Sequence, residues 1–259
     1  MANAAHWVPL NVKHHGGLMW QRFTAYHFAQ HITQASLAAT ELRHAAACFP
    51  IGFNQTTQGW QAVALLGLRD SQNLMVDSQG RWRAAYVPAV LRSHPFGLSA
   101  DTPETLCIDQ HSPFVVSRLD AEPFFNQHGE LASFPQHVLA FLQQRETGCQ
   151  RVAQQLEALA NANLLTPWLP EGYQGSAPLY QIDEPAWKAL STEQMGLFWQ
   201  LDAVPLVYAQ LISQQQLGVL RSLFQRPTTP PLAESPSRPL SEWQEAFSNE
   251  ERYQWPDPS

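Results

Sequence analysis

Residues 61–68 (QAVALLGL) form a near-continuous apolar run of strand length, and no other stretch constrains the rest of the chain as strongly. A segment apolar at successive rather than alternate positions has to be covered on both faces. Residues 70–73 then supply a polar turn, 74–76 a second short strand, and 77–80 (DSQG) a turn in which Gly80 is free to take positive φ. Together these predict a hairpin of 61–68 with 74–76 inside an organising centre over 60–96. Trp82 and Tyr86 lie four apart, Pro88 stands where a helix opens, and 87–93 reads as one or two helical turns ended by His94-Pro95.

With 259 residues the chain is long enough to bury a substantial core. Charged residues make up only 14% of it and glutamine is abundant, so the surface is polar but weakly charged, which suits protein contacts better than nucleic acid. The net charge is −7; residues 227–259 hold six acidic and two basic residues, so the tail carries −4 and the body −3. No basic stripe follows a phosphate backbone, and DNA or RNA binding is not expected. The first thirty residues lack the apolar core and cleavage site of a secretory signal, and nowhere do eighteen apolar residues run together, so a cytoplasmic protein without a transmembrane segment is expected. Cys48, Cys107 and Cys149 lack C-x-x-C spacing and read as free, mostly buried thiols.

The front half reads as strands. Residues 7–10 are extended, 25–32 form an edge strand, 51–54 and 105–109 are strands, and 114–116 and 123–125 are short apolar pieces. One helix interrupts them: Leu37, Thr40, Glu41, His44 and Cys48 recur at helical spacing behind Ser36 as N-cap. Beyond Ser133 the chain turns helical. Val138, Phe141, Leu142, Val152, Leu156 and Leu159 hold one stripe to about residue 160, with Gly148 as a point of bending. Residues 164–175 are a connection, 179–182 a strand, and 183–185 start a short helix. Ser191-Thr-Glu-Gln194 is a capping box opening a helix whose Met195, Phe198 and Trp199 are expected in the core. Pro205 opens another to about residue 224, interrupted at 214–216.

The expected fold is therefore α+β: a mainly antiparallel sheet in the N-terminal half packed against helices of the C-terminal half, as a single domain over 1–226. Residues 227–259 form a Pro-rich acidic tail, with a short helix over 241–252 whose Trp243 and Phe247 make an aromatic face. That face docks on a partner, on the body, or on a second copy in a homo-oligomer.

The segments ALLGLRDSQNLMVDSQGRW and YVPAVLRSHPF resemble the signature of the SapC family. The resemblance continues through Phe49-Pro-Ile-Gly-Phe53, Cys107-Ile-Asp109, 179–184 and 204–211, and spans roughly residues 7–226. The family is named from a gene in bacterial S-layer secretion clusters. Its members also tend to be encoded beside TonB-dependent receptors, flavin-dependent tryptophan halogenases and cupin-type hydroxylases. What the resemblance implies is a role in those settings; it carries no catalytic residues over.

Candidate chemistry is sparse. His27 and His31 are spaced i, i+4, but a strand over 25–32 separates the imidazoles and a third ligand is missing, so no metal site is expected. Cys107, Asp109 and His111 alternate, which on a continuing strand puts a thiol, a carboxylate and an imidazole on one side. Asp70, Asp77, Asp183 and Glu184 all sit at turns or helix starts, where backbone capping explains them. Arg69, Arg81, Arg83 and Arg92 flank the apolar centre and are suited to grip a carboxylate or peptide terminus. No Walker loop, dinucleotide fingerprint, nucleophile elbow or H-E-x-x-H is present, and no cofactor is expected. Three readings stand. The leading one is an accessory, non-catalytic protein that binds a protein or peptide partner. The second is an enzyme modifying a peptide or small metabolite, with Trp82, Tyr86, Arg92, Asp109 and His111 as its ligand-binding groups. The third is an assembly role for the tail.

Overall fold

The computed structural model describes residues 7–99, 102, 104–118 and 120–225. By its contacts the chain divides into Met1–Arg226 and Pro227–Ser259. The described residues all belong to the first unit, so the expected 241–252 helix with Trp243 and Phe247 lies outside them. In chain order the elements are β1 (Trp7–Pro9), α1 (Val12–His15), β2 (Met19–Trp20), β3 (Gln34–Ser36), α2 (Leu42–Ala46), β4 (Ile51–Thr56), β5 (Gly59–Leu65), α3 (Ala89–Arg92), β6 (Phe96–Leu98) and β7 (Leu106–Asp109). They continue with β8 (Val115–Val116), β9 (Glu122–Pro123), α4 (Ser133–Asn161), β10 (Leu165–Trp168), β11 (Leu179–Ile182), α5 (Glu184–Lys188), α6 (Thr192–Gln200), α7 (Val204–Ser213) and α8 (Leu217–Gln225). The fold is α+β, with antiparallel sheets in the first half and helices in the second.

The apolar run becomes β5, second from one edge of a five-stranded antiparallel sheet ordered β10-β11-β4-β5-β3. Leu65 and Leu66 are fully buried and Val76 nearly so, as cover on both faces demands. The hairpin, however, is not the expected one. β5 pairs with β4 ahead of it, in a register from Ile51↔Ala64 to Thr56↔Gly59 closed by a two-residue turn, while 74–76 forms no ladder strand and Val76 makes only an isolated bridge to Trp82. Both edges of β5 are already taken, by β4 and β3, so 74–76 has no edge left to pair with. The chain doubles back at Gly67, where a Cβ would stand 1.8 Å from the Gln72 carbonyl oxygen, and 72–76 holds on through the Leu74 amide to the Leu66 carbonyl (2.8 Å) and the Asn73 side-chain amide to the Ala29 carbonyl (2.9 Å). The turn at 77–80 forms as read, with Gly80 at φ 77°.

Two three-stranded sheets, β1-β7-β6 and β8-β2-β9, share a core with the first half of α4. Trp20, Phe96, Leu106, Ile108, Phe124, Val138 and Leu142 meet there. The second half of α4 buries Val152, Leu156 and Leu159 and packs along β5. One 29-residue helix thus binds the small sheets to the large one.

Several local expectations fail for identifiable reasons. Residues 25–32 contain a 3-10 turn at His27–Ala29 rather than a strand. Ser36 caps no helix: it is the last residue of β3, opposite Val63, and its hydroxyl accepts from Arg145 at 2.6 Å, so helix begins only at Ala39. Gly148 lies inside the continuous α4, and a Cβ there would sit 2.9 Å from the Ala38 Cβ, so the glycine permits close packing. Residues 164–175 include the edge strand β10, where Pro167 is tolerated. Of the cysteines, Cys107 is buried but Cys48 and Cys149 are half-buried. Trp199 is not in the core but 73% exposed.

Candidate functional site

The expected ligand-binding residues divide between two neighbouring sites. The first surrounds Glu41, a carboxylate only 2% exposed at the end of the 3-10 turn Ala39–Glu41. Its Oε1 accepts from the Tyr86 hydroxyl (2.8 Å) and the Ala89 amide (2.7 Å), and its Oε2 accepts from the Ala38 amide (3.0 Å) with the Arg145 Nε 3.9 Å away. Arg145 also donates to the Ser36 carbonyl and hydroxyl. Trp82 Nε1 donates to the Tyr86 carbonyl at 2.7 Å, and the Arg92 guanidinium lies 5.7 Å from the Tyr86 ring and 5.4 Å from that of Phe141. Trp82, Tyr86 and Arg92 therefore lie next to one another, with Tyr86 bound to a buried acid whose hydrogen bonds tie Ala38, the 82–86 loop and α3 together, while Arg145 of α4 reaches β3 through Ser36. Burial pushes the nearby Tyr26 phenol well above its ordinary range, with the Arg92 charge opposing.

Asp109 and His111 lie at the second site, the end of β7. The strand stops at Asp109 and a turn follows, so Cys107, Asp109 and His111 do not alternate on one face. Asp109 Oδ1 accepts from the His111 amide at 3.2 Å. Burial pushes the Cys107 thiol up, away from the thiolate that nucleophilic chemistry requires. A different pair is in reach: His94 Nε2 stands 2.9 Å from the Ser112 hydroxyl. The antiparallel pairing of β6 with β7 brings these two residues together, and the imidazole stacks on Phe28 with ring centroids 4.1 Å apart. Burial lowers His94 to about 4, with the Asp109 charge acting in opposition, so the ring is neutral at pH 7. Ser112 is only 5% exposed and its oxygen also accepts from the Phe114 amide at 3.3 Å, a turn-forming role.

The remaining candidates are dispersed. Asp70 accepts from the Ser176 amide, Asp77 binds Arg81 and the amides of residues 79 and 81, Asp183 caps α5 and Glu184 pairs with Lys188. Burial works against ionisation of Asp77, yet the Arg81 and Gln79 hydrogen bonds keep its carboxyl below the ordinary range. His27 bonds Gln30 within its own turn, while His31 reaches the Ser71 carbonyl in a separate turn. Among the arginines, Arg69 lies over the Phe224 ring and Arg81 pairs with Asp77, while Arg83 is exposed.

A third feature escaped the sequence, which placed Trp199 in the core. The helices α6, α7 and α8 and the turn after α6 leave Leu197, Trp199, Leu201, Tyr208, Ile212 and Val219 exposed, each between 45% and 73%. Their inner sides are firmly held. Gln155 of α4 donates to the Leu201 and Asp202 carbonyls (3.1 and 2.8 Å), and Gln210 accepts from the Ile182 amide and donates to the Ile51 carbonyl between β11 and β4. Ser213 accepts from the Ile51 amide at 2.9 Å. No single helix among the described residues is long and apolar enough to cross a membrane; α6 with Val204–Gln225 reaches that length and composition only as a pair bent by 95°.

The family model described as SapC matches residues 10–220. The chain belongs to the SapC family. No curated protein and no solved structure matches it. The SapC match takes in the Glu41 cluster, the His94–Ser112 pair and the outward apolar residues of α6, α7 and α8.

Proposed function

We propose that this SapC-family chain is an accessory, non-catalytic component that binds a polypeptide partner, acting in the cytoplasm in pathways of the bacterial surface layer or of receptor and halogenase clusters. One observation carries the binding role: Trp199 stands 73% exposed on a helix that also exposes Leu197, beside a turn anchored by Gln155. A tryptophan left that far in water is a favoured anchor for a docking partner. A tryptophan buries roughly 200 Å², so covering Trp199 gains about 3 kcal/mol before ordering costs. The fixed backbone around it reduces those costs.

A photo-crosslinking amino acid placed at 199 and used in the native host identifies the bound polypeptide. That polypeptide, purified, should bind with at least tenfold lower affinity to Trp199→Glu than to the wild type. An affinity unchanged by the substitution overturns the reading.

One observation favours a second reading, an enzyme acting on a peptide or small metabolite: the 2.9 Å contact between a neutral imidazole and the Ser112 hydroxyl. Such a base can take a hydroxyl proton as the oxygen attacks an acyl carbon. Covalent labelling of Ser112 by a fluorophosphonate, abolished in His94→Gln, supports it; no labelling removes it.

A further inference from the structure

We infer that a neutral saccharide binds at the Asn54–Gln34 pair of the five-stranded sheet, beneath a strap formed by residues 169–178. The orientation of three side chains carries the argument. The Tyr173 hydroxyl donates to the Ala177 carbonyl at 3.0 Å, and a carbonyl can only accept. The phenol oxygen is left to accept, which it does from Gln34 Nε2 at 3.2 Å. That turns Gln34 Oε1 toward Asn54, where it accepts from Nδ2 at 2.9 Å. The relay leaves Asn54 Oδ1 without a partner, on a side chain only 8% exposed. Turning the two carboxamides round cannot relieve it without breaking the Tyr173 bond to Ala177. A buried acceptor of this kind is costly to the fold and calls for a donor from outside it, a hydroxyl or amide hydrogen and not an anion.

The surroundings narrow the ligand further. The pairing Tyr180↔Phe53 sets Leu179 beside Asn54, and Leu179 stands opposite Trp168 and Asn54 opposite Gln61, so one face of the sheet carries an indole and two carboxamides in a row. The Trp168 ring leans over Gly52, where a Cβ would meet it at 3.0 Å. Trp168, Gln34, Gln61 and Tyr173 are half-buried, and none is charged, since burial pushes the Tyr173 phenol up. A sugar matches this set. Its hydroxyls donate to Asn54 Oδ1 and accept from carboxamide N–H groups, while its C–H face packs on the indole. An extended peptide is read instead through main-chain bonds at a sheet edge, and β4 has a strand on either side.

The strap closes the site through Tyr173. Pro170 and Pro178 stand near its ends, and Gly172, at φ 84°, and Gly175 lie on either side of the tyrosine. Its ties to the body are the Gln174 amide to the Leu68 carbonyl (2.6 Å), the Ser176 amide to Asp70 (3.1 Å) and the Glu171–Arg221 pair. The last two are exposed, so water can take their place when the strap lifts. Lifting it carries Tyr173 away and frees Gln34 Nε2 beside Asn54 Oδ1, a donor and an acceptor together, as neighbouring hydroxyls require. No residue of this set lies on α6, α7 or α8 apart from the Arg221 tie, so the site stands or falls apart from the binding role proposed above.

The test is an array of neutral and acidic glycans probed with the full chain, followed by calorimetry with the glycan bound best. We expect neutral glycans to be retained and acidic ones not. Trp168→Ala and Asn54→Leu should each weaken binding at least tenfold, with melting curves to show that both remain folded. Tyr173→Phe removes the group that competes for Gln34 and should bind more tightly than the wild type. Retention of no neutral glycan overturns the inference and leaves a trapped water as the partner of Asn54; retention of acidic glycans alone overturns it as well. So does an affinity unchanged in Trp168→Ala and Asn54→Leu, or one that is unchanged or weaker in Tyr173→Phe.

Discussion

Replacing Glu41 by glutamine tests the arrangement that holds the predicted residues together. The isostere keeps volume and one acceptor oxygen. Placed with that oxygen toward Tyr86 and Ala89, it retains both bonds at Oε1 but turns an NH₂ toward the Ala38 amide, leaving two donors face to face. A buried amide without an acceptor costs about 1–3 kcal/mol. The two remaining bonds lose their ionic character, worth about 0.5–1 kcal/mol each, and Arg145 loses the charge 3.9 Å away. Relief of the carboxylate's desolvation offsets part of this. The net loss should be about 2–4 kcal/mol, read as a lower urea midpoint at pH 7.5 with unchanged slope. Tyr86→Phe alone should cost about 1 kcal/mol and clearly less on the Glu41→Gln background, because the two share one bond. A Glu41→Gln protein within 0.5 kcal/mol of wild type would refute the reasoning.

His94 gives a pH signature. Its folded value of about 4 lies below the ordinary 6.5, so between those values the unfolded chain binds the proton and the folded chain does not. The stability this contributes is complete above 6.5 and lost progressively as pH falls toward 4, about 3 kcal/mol in all. Between pH 7.5 and 5 the wild type should lose about 2 kcal/mol more than His94→Gln in urea unfolding; parallel losses contradict it. Gly148→Ala in an open helix would gain about 1 kcal/mol. Here its Cβ meets that of Ala38 at 2.9 Å, so we expect thermal unfolding to show net destabilisation of about 1–2 kcal/mol, and a raised melting temperature would disprove the close approach.

What the sequence revealed well was local. The Ser191–Gln194 capping box closes with bonds of 3.0 and 3.2 Å, Asp183 caps α5, and the break at Gln214–Gln216 separates α7 from α8. Each of these is decided within a few residues. The partner of β5 was misread because pairing is decided by where the chain can return, and that β4 and β3 take both its edges is invisible in a list of residue types. Glu41 carried a legible signal, an acid in an apolar, alanine-rich stripe, although its partners 45, 48 and 104 positions away did not. His94 and Ser112 gave none, being joined only by the pairing of β6 with β7.

Trp199 shows a different kind of limit, and it bears on function. Helical periodicity identifies which residues prefer to leave water, but it does not say whether their own chain or another covers them. In α6 the answer is divided: Phe198 is buried against Trp187, while Leu197 and Trp199 on either side of it face outward. The inward bonds of α7, from Gln210 and Ser213 to the ends of β4 and β11, explain how the division persists. They commit one side of the helix to the sheet through buried polar groups that are costly to break, so the helix cannot roll to hide Tyr208 and Ile212. The polar stitching that secures the fold thereby keeps apolar side chains presented to solvent, which is the physical basis of the proposed binding role.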